Sequence, residues 1–178
     1  MADENMREDL GEDEIEQDQY LVFTVRYQEF GIQAMRVQEI SPVLGVTNVP
    51  NAPSYVEGIL NLRGRLVSVI NFRNKFGYEH KAHDEDTRVI MVEHYGFPIG
   101  VIVDSVEEVI KIPNEKVQQL PETTVTLVSG YITGVGMLDS RLIMLLDADK
   151  LLNKEEWVEA GALDEAIGKI QMQETKEK

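Results

Sequence analysis

Few side chains in this sequence are of the types and spacings that bind metals or carry out catalysis. His80 and His83 lie three residues apart in the acidic segment EHKAHDED, residues 79–86. Imidazoles flanked by carboxylates are a ligand set for a divalent metal, which would support a metal-dependent enzyme. Metal-binding histidines also need neighbouring groups that orient their rings, and a polar linker supplies none. Solvated side chains are therefore the competing interpretation of this segment.

The other catalytic patterns are incomplete. Asp147 and Asp149 alternate at the end of an apolar run like paired carboxylates, but no histidine or polar cluster accompanies them. Gly134 and Gly136 lack the third glycine of a dinucleotide-binding loop, and Ser68 has no evident base. The chain has no cysteine, which excludes disulfides, thiolate ligands and thiol nucleophiles. The sequence predicts a protein that is not an enzyme and that uses neither a cofactor nor a metal.

Composition and charge restrict the partners. With 178 residues, 43% of them apolar, the chain suits one domain or two small ones sharing a core. The net charge is −15, and most of the acidity lies in the two terminal segments, which phosphate backbones and anionic lipids would repel. No apolar run reaches the ~18–20 residues of a membrane span, and the start lacks the pattern of a signal peptide. We expect a cytoplasmic protein that binds no nucleic acid and does not insert into membranes.

Apolar runs of strand length, separated by turns, occupy residues 20–152 and predict a mainly β domain. Residues 1–19 contain nine acids and few apolar side chains, and they predict a disordered acidic tail. Residues 153–178 begin with Asn153 and Glu156 at capping-box spacing and continue with apolar residues at helical spacing. This last segment predicts a C-terminal helix and tail laid on the β domain.

The β domain contains an internal repeat. Three blocks recur in the same order, displaced by 67, 69 and 76 residues: 22–32 with 89–99, 37–40 with 106–109, and 55–66 with 131–142. We call residues 20–78 the first copy and residues 87–152 the second copy. Each copy is too small to bury a sufficient core alone. The repeat predicts two five-stranded barrels, one per copy, related by a pseudo-two-fold axis around a shared core.

The repeat also separates the two arginines in the turn Arg63-Gly64-Arg65. Arg65 has a counterpart in Arg141, which predicts a structural role common to both barrels. Arg63 has Asp139 as its counterpart, so the fold does not require an arginine there. Arg63 is either a solvated turn residue or a residue that contacts a partner.

Three segments of the chain resemble the CheW family of chemotaxis adaptors: YLVFTVRYQEFGIQAMRVQEI, YVEGILNLRGRLVSVINFRNKFG and SGYITGVGMLDSRLIMLLDADKLL. With the spacing between them they cover residues 20–152, and EGILNLRG combined with the upstream VQEI is the most specific part. Ser68 and Asn71 depart from the proline and aspartate of many members. The resemblance implies two SH3-like barrels around a shared core. It also implies a non-enzymatic adaptor that couples chemoreceptors to the histidine kinase CheA in membrane-associated signalling arrays.

The resemblance further implies a receptor-binding site made of Val37, Glu39, Gly58 and Arg63. Arg63 would lie beside Glu39, and a guanidinium paired with a carboxylate keeps spare donors for a partner helix. Val37 precedes Glu39 by two residues and is expected on the same face of its strand. Gly58 would allow close approach of the backbone.

Val106 and Val109 are the repeat counterparts of Val37 and Ile40. They either line the same groove or are buried in the core. The partners implied are the cytoplasmic tip of a chemoreceptor, which is a helical hairpin, and the regulatory domain of CheA.

Overall fold

The structure is a computed structural model that describes residues 18–121 and 130–152. The predicted helix in residues 153–178 lies outside the described residues. The strands of the described part are β1 Gln19–Val25, β2 Gln28–Gln33, β3 Val37–Pro42, β4 Val56–Leu62, β5 Arg65–Asn71, β6 Arg88–His94, β7 Phe97–Val103, β8 Ser105–Lys111, β9 Val117–Gln118, β10 Ile132–Leu138 and β11 Arg141–Leu146. A short helix, α1, follows β5 at Phe72–Lys75, where Asn71 accepts hydrogen bonds from the first backbone N–H groups. Short 3₁₀ turns lie at Ala34–Arg36, Asn114–Lys116 and Ala148–Lys150.

The strands form two sheets, and each sheet combines both copies of the repeat. The strand order is β8-β1-β2-β11-β10-β9 in one sheet and β3-β6-β7-β5-β4 in the other. In the first sheet, the β1–β2 hairpin of the first copy inserts between strands of the second copy, and β2 pairs in parallel with β11. In the second sheet, the β6–β7 hairpin of the second copy inserts between strands of the first copy, and β7 pairs in parallel with β5. The expectation of one barrel per copy, with boundaries at about 20–78 and 87–152, therefore does not describe the sheets. Exchanging hairpins lets two small copies bury apolar surface against each other.

Strand register is the same in the two sheets. The insertion pairs Gly31 with Leu145 in one sheet and Gly100 with Val69 in the other. These glycines are 69 residues apart, so the first block is displaced by 69 residues and the sequence alignment at 67 is wrong. A shift of two residues keeps the inward and outward alternation of a strand, which is why the apolar pattern did not reveal the error.

The described residues form three apolar clusters, of which one corresponds to the predicted shared core and two to the interiors of the predicted barrels. The largest lies between the sheets and takes side chains from both, including Phe23, Phe72 and Ile90. The opposite face of each sheet encloses its own smaller cluster, around Met91 in one and Ile143 in the other. Alternate residues of a strand therefore enter different clusters, and strands such as β6 are apolar almost throughout. The mainly β fold is confirmed, with β9 as a sixth, two-residue strand in one sheet.

Candidate functional site

The tip of the β4–β5 hairpin presents Arg63 to solvent. Arg63 and Gly64 both have positive φ, 54° and 83°, as two-residue hairpin turns require. The Asn61 side chain accepts a hydrogen bond from the Gly64 N–H at 2.9 Å and holds the turn. Arginine rarely adopts positive φ, so the backbone at Arg63 is strained in this turn. The Arg63 side chain is 82% exposed.

Glu39 is the acidic neighbour that was expected for Arg63. The Arg63 Nη2 atom lies 3.4 Å from Glu39 Oε1, at the long end of hydrogen-bond distance, and the Glu39 side chain is 30% exposed. A pair so open to water contributes about 0–1 kcal/mol to stability. The guanidinium keeps most of its donors unused in this pair, so it can bind a partner without first breaking a strong ion pair.

A β-bulge separates Val37 from Glu39. The pairing of β3 with β6 shifts between these residues, so that Val37 lies opposite Val92 and Glu39 lies opposite Met91. Val92 belongs to the shared core and Met91 to the barrel interior, on opposite faces of β6. The expectation that Val37 shares a face with Glu39 is therefore wrong, because the extra residue of the bulge reverses the alternation. Val37 packs, half-buried, against the shared core.

Gly58 is buried beneath a neighbouring segment of backbone. A Cβ atom at this position would lie 2.0 Å from the carbonyl oxygen of Thr47, and φ is +154°. Thr47 and Ile59 exchange two backbone hydrogen bonds of 2.8 Å beside the glycine. The close approach expected of Gly58 is thus an approach within the chain, and Gly58 offers no side chain and little surface to a partner.

Val106 and Val109 lie on β8, the edge strand of the other sheet. Val106 pairs with Phe23 and packs, half-buried, against the shared core, as Val37 does from β3. Val109 is 54% exposed, and Ile40 at the corresponding place on β3 is also exposed. Of the two interpretations left open, burial fits Val106, whereas Val109 presents an apolar surface to solvent.

Arg141 and Arg65 do not share a structural role. Arg141 donates two hydrogen bonds to Glu29, at 2.6 and 3.1 Å, and one to Glu108 at 2.9 Å. These bonds raise the pKa of its guanidinium above the ordinary value. Arg65 is exposed, and in the part of the chain that the structure describes it has no ion pair. The predicted common role is wrong: Glu39, the counterpart of Glu108, lies beside Arg63, and the counterpart of Glu29 is Pro98.

Two ion pairs that the sequence analysis missed join the copies. Arg73 donates two hydrogen bonds of 2.7 Å to Asp104, and these side chains are only 15% and 16% exposed. Burial alone would raise the pKa of Asp104, but the bonds from Arg73 and from the Arg26 backbone N–H outweigh it and lower that pKa. No sequence signal pointed to this pair, since its residues are 31 positions apart.

The second pair corresponds to the first across the pseudo-two-fold axis. Arg36 donates hydrogen bonds of 2.6 and 3.2 Å to Asp149, which also accepts one from the Tyr95 backbone N–H. The bonds from Arg36 are the main reason why the pKa of Asp149 is lowered. Asp149, considered above as half of a catalytic carboxylate pair, is therefore held by an arginine. Asp147 caps the 3₁₀ turn by accepting from the Asp149 N–H.

The histidine segment makes contacts of a different kind from those of a metal site. His83 Nε2 lies 3.1 Å from Glu57 Oε1, and Asn71 donates to the other Glu57 oxygen. Hydrogen bonds from the Asp86 backbone and from Lys81 lower the pKa of Asp84 to about 2. Within residues 18–121 and 130–152, no three histidine or carboxylate side chains converge as ligands for a metal.

Among the residues that the structure describes, no helix is both long and apolar enough to span a membrane.

Comparison with known proteins gives consistent matches over the β domain. The model of the CheW-like domain matches residues 19–156. The Chemotaxis protein CheW of Klebsiella aerogenes is 38% identical over 138 residues, which are 78% of this chain and 83% of that protein. The Helicobacter pylori protein of the same name is 32% identical over 144 residues, 81% and 87% of the two chains. The crystal structure of the scaffolding protein TtCheW from Thermoanaerobacter tengcongensis superposes with a TM-score of 0.72 at 30% identity, covering 79% of this chain and 97% of that one.

Proposed function

The chain belongs to the CheW-like domain family of chemotaxis scaffold proteins, and on that premise we propose that it couples chemoreceptors to the histidine kinase CheA. The receptor contributes its cytoplasmic helical tip, and the kinase contributes its regulatory domain. The protein works in the cytoplasm and is recruited to receptor arrays at the membrane. It acts by holding partners in a defined arrangement, without chemistry of its own.

The observation that supports the receptor site best is the state of Arg63. It is strongly exposed, it stands on a strained turn, and its only described ion pair is the long contact with Glu39. Strained backbone and exposed polar residues cluster at binding sites. We assign receptor binding to Arg63 and Glu39, with Val37 supporting β3 from the core side. Gly58 contributes by letting the segment around Thr47 pack against β4.

The corresponding hairpin tip of the second copy differs in charge from the β4–β5 tip. The β10–β11 turn carries Asp139 where the β4–β5 turn carries Arg63, and both residues have positive φ. Next to that turn, Arg141 is already engaged by Glu29 and Glu108. One hairpin tip is therefore basic and its counterpart is acidic, and ends of opposite charge favour different partners. This supports an adaptor that presents one end to the receptor and the other to a second protein.

The test compares two arginines on one hairpin. Arg63→Ala should weaken binding to a receptor signalling fragment by about 5- to 150-fold, the range for a hot-spot contact of roughly 1–3 kcal/mol. Arg65→Ala removes the same charge two residues away and should bind nearly as the wild type does. Isothermal titration calorimetry gives the affinities, and kinase activity in a mixture with receptor fragment and CheA gives the coupling.

Both variants should melt within about 2 °C of the wild type, because both side chains are exposed. Equal affinities for the two variants would show that Arg63 is only a solvated turn residue. Normal receptor affinity with no effect of the protein on CheA activity would contradict the coupling function itself.

A further inference from the structure

The ion pairs between the copies have a consistent polarity. Both arginines, Arg36 and Arg73, come from the first copy, and both aspartates, Asp104 and Asp149, come from the second. Arg73 and Asp149 occupy corresponding places after β5 and β11. Arg36 and Asp104 lie in corresponding connections, between β2 and β3 and between β7 and β8. The pseudo-two-fold axis thus relates a cation to an anion at one place and, within one residue, at the other, since Arg36 aligns with Ser105.

The backbone does not distinguish which copies pair. One sheet has four strands of the second copy, including the two-residue β9, and the other has three strands of the first copy. Each contains an inserted hairpin of the other copy, and the registers coincide when corresponding residues are compared. The bulge also recurs. It lies between Val37 and Glu39 in β3, and between Val106 and Glu108 in β8, opposite Val22 and Phe23 of β1. By backbone pairing alone, the first copy of one chain fits the first copy of another as well as it fits its own second copy.

We propose that the two ion pairs select the pairing of a first copy with a second copy, and exclude association of like copies between two chains. In a pairing of two first copies, Arg36 of one chain would face Arg73 of the other, and two second copies would bring Asp104 against Asp149. Like charges at these partly buried sites, whose side chains are 15–34% exposed, are unfavourable because water screens them less than it does at a fully exposed surface. The partner excluded is a second molecule of this chain with exchanged halves.

A third ion pair between the copies, also among the described residues, does not share this role. Glu29 of the first copy pairs with Arg141 of the second. In a pairing of two first copies, Arg65 would stand in the place of Arg141 and would still face Glu29. Selection therefore depends on the Arg36–Asp149 and Arg73–Asp104 pairs.

The experiment uses three variants of the full chain that have the same net charge. The crossed variant, Arg73→Asp with Asp149→Arg, puts one cation and one anion in each copy and makes like copies complementary. The matched variant, Arg73→Asp with Asp104→Arg, reverses one pair and keeps the native pairing complementary, but it also makes like copies complementary. The fully reversed variant, which combines Arg36→Asp, Arg73→Asp, Asp104→Arg and Asp149→Arg, keeps the native pairing complementary and like copies repulsive. The crossed and matched variants both replace Arg73, and each loses one carboxylate that accepts a backbone N–H, from Arg26 or from Tyr95.

We expect the matched variant to keep most of its resistance to urea, and the fully reversed variant to do so and to stay monomeric by light scattering. The crossed variant should have a urea midpoint lower by about 1 M or more, or should form a dimer. If the crossed variant does not fold, adding Arg36→Asp and Asp104→Arg to it reverses both pairs and should restore a folded monomer. A crossed variant that is monomeric and as stable as the matched one would overturn the proposal, and so would failure of the fully reversed variant to recover.

Discussion

Gly58 provides the clearest quantitative prediction, because its surroundings forbid a side chain. In Gly58→Ala the new Cβ would lie 2.0 Å from the Thr47 oxygen and 2.7 Å from the Thr47 carbonyl carbon. A carbon and an oxygen normally come no closer than about 3.3 Å, so the backbone segments must separate by more than ~1 Å. That movement breaks the two 2.8 Å hydrogen bonds between Thr47 and Ile59, each worth about 0.5–1.5 kcal/mol. Strain at positive φ adds about 1–2 kcal/mol.

The expected loss of stability in Gly58→Ala is therefore about 2–5 kcal/mol, measured by urea unfolding followed by far-ultraviolet circular dichroism. Gly134, the counterpart in the second copy, is the matched control. Its Cβ would meet a Val117 methyl at 2.9 Å and the Gln118 oxygen at 3.0 Å, and its φ lies outside the positive region. Gly134→Ala should cost about 1 kcal/mol, since a methyl group can move away.

A second control is Gly64→Ala, where φ is +83° and no atom lies within 4 Å of the added carbon. It should show only the backbone strain, about 1 kcal/mol. The reasoning is refuted if Gly58→Ala unfolds at the same urea concentration as Gly134→Ala. If Gly58→Ala keeps wild-type stability and loses only receptor affinity, the glycine is a contact residue and not a packing requirement.

Three further predictions concern charges. Arg141→Ala should lower stability by about 1 kcal/mol because it leaves two carboxylates close together, whereas Arg65→Ala should change it by less than about 0.5 kcal/mol; paired urea titrations compare them. The pKa of Asp104 is lowered on folding, so its carboxylate stabilises the protein above the ordinary value of about 4 and loses that effect as pH falls through the lowered pKa. The urea midpoint of Asp104→Asn should accordingly lie below the wild type at pH 7, with the difference closing below about pH 4; a constant difference would contradict this assignment. Replacing both His80 and His83 with alanine should shift the melting temperature by less than about 3 °C, and chelation should not shift it; a zinc-dependent rise abolished in the double variant would establish a metal site instead.

The local features of the molecule were predictable because they depend on neighbouring residues. Alternating apolar runs predicted strands, and glycine next to a polar residue predicted the tip of the β4–β5 hairpin, where Arg63 and Gly64 lie. The repeat was detectable because corresponding strands bury similar side chains. Comparing Arg63 with Asp139 then showed which arginine the fold does not need. The expectation that Glu39 lies near Arg63 came only from the family resemblance.

The two-residue error in aligning the first block and the misplaced face of Val37 have a common cause. An apolar pattern indicates which face of a strand is buried, but it does not indicate which residue of the neighbouring strand each residue pairs with. A shift by two positions leaves the pattern unchanged, and a bulge between Val37 and Glu39 reverses it without any distinctive residue. Only the pairing of β3 with β6 in the structure determined the register of β3.

By itself, the sequence determined the β architecture, the duplicated plan and the exposed arginine, since each follows from propensity, periodicity and comparison of the copies. Only the tertiary structure decided that the copies exchange hairpins. It also decided that Arg141 binds two carboxylates whereas Arg65 is exposed without an ion pair among the described residues, and that Arg73 pairs with Asp104. These contacts join residues distant in the chain, and many acidic side chains offer similar partners to each arginine. The choice among them depends on the geometry of the assembled sheets, which brings Asp104 within 3 Å of Arg73, and Glu29 and Glu108 within 3 Å of Arg141.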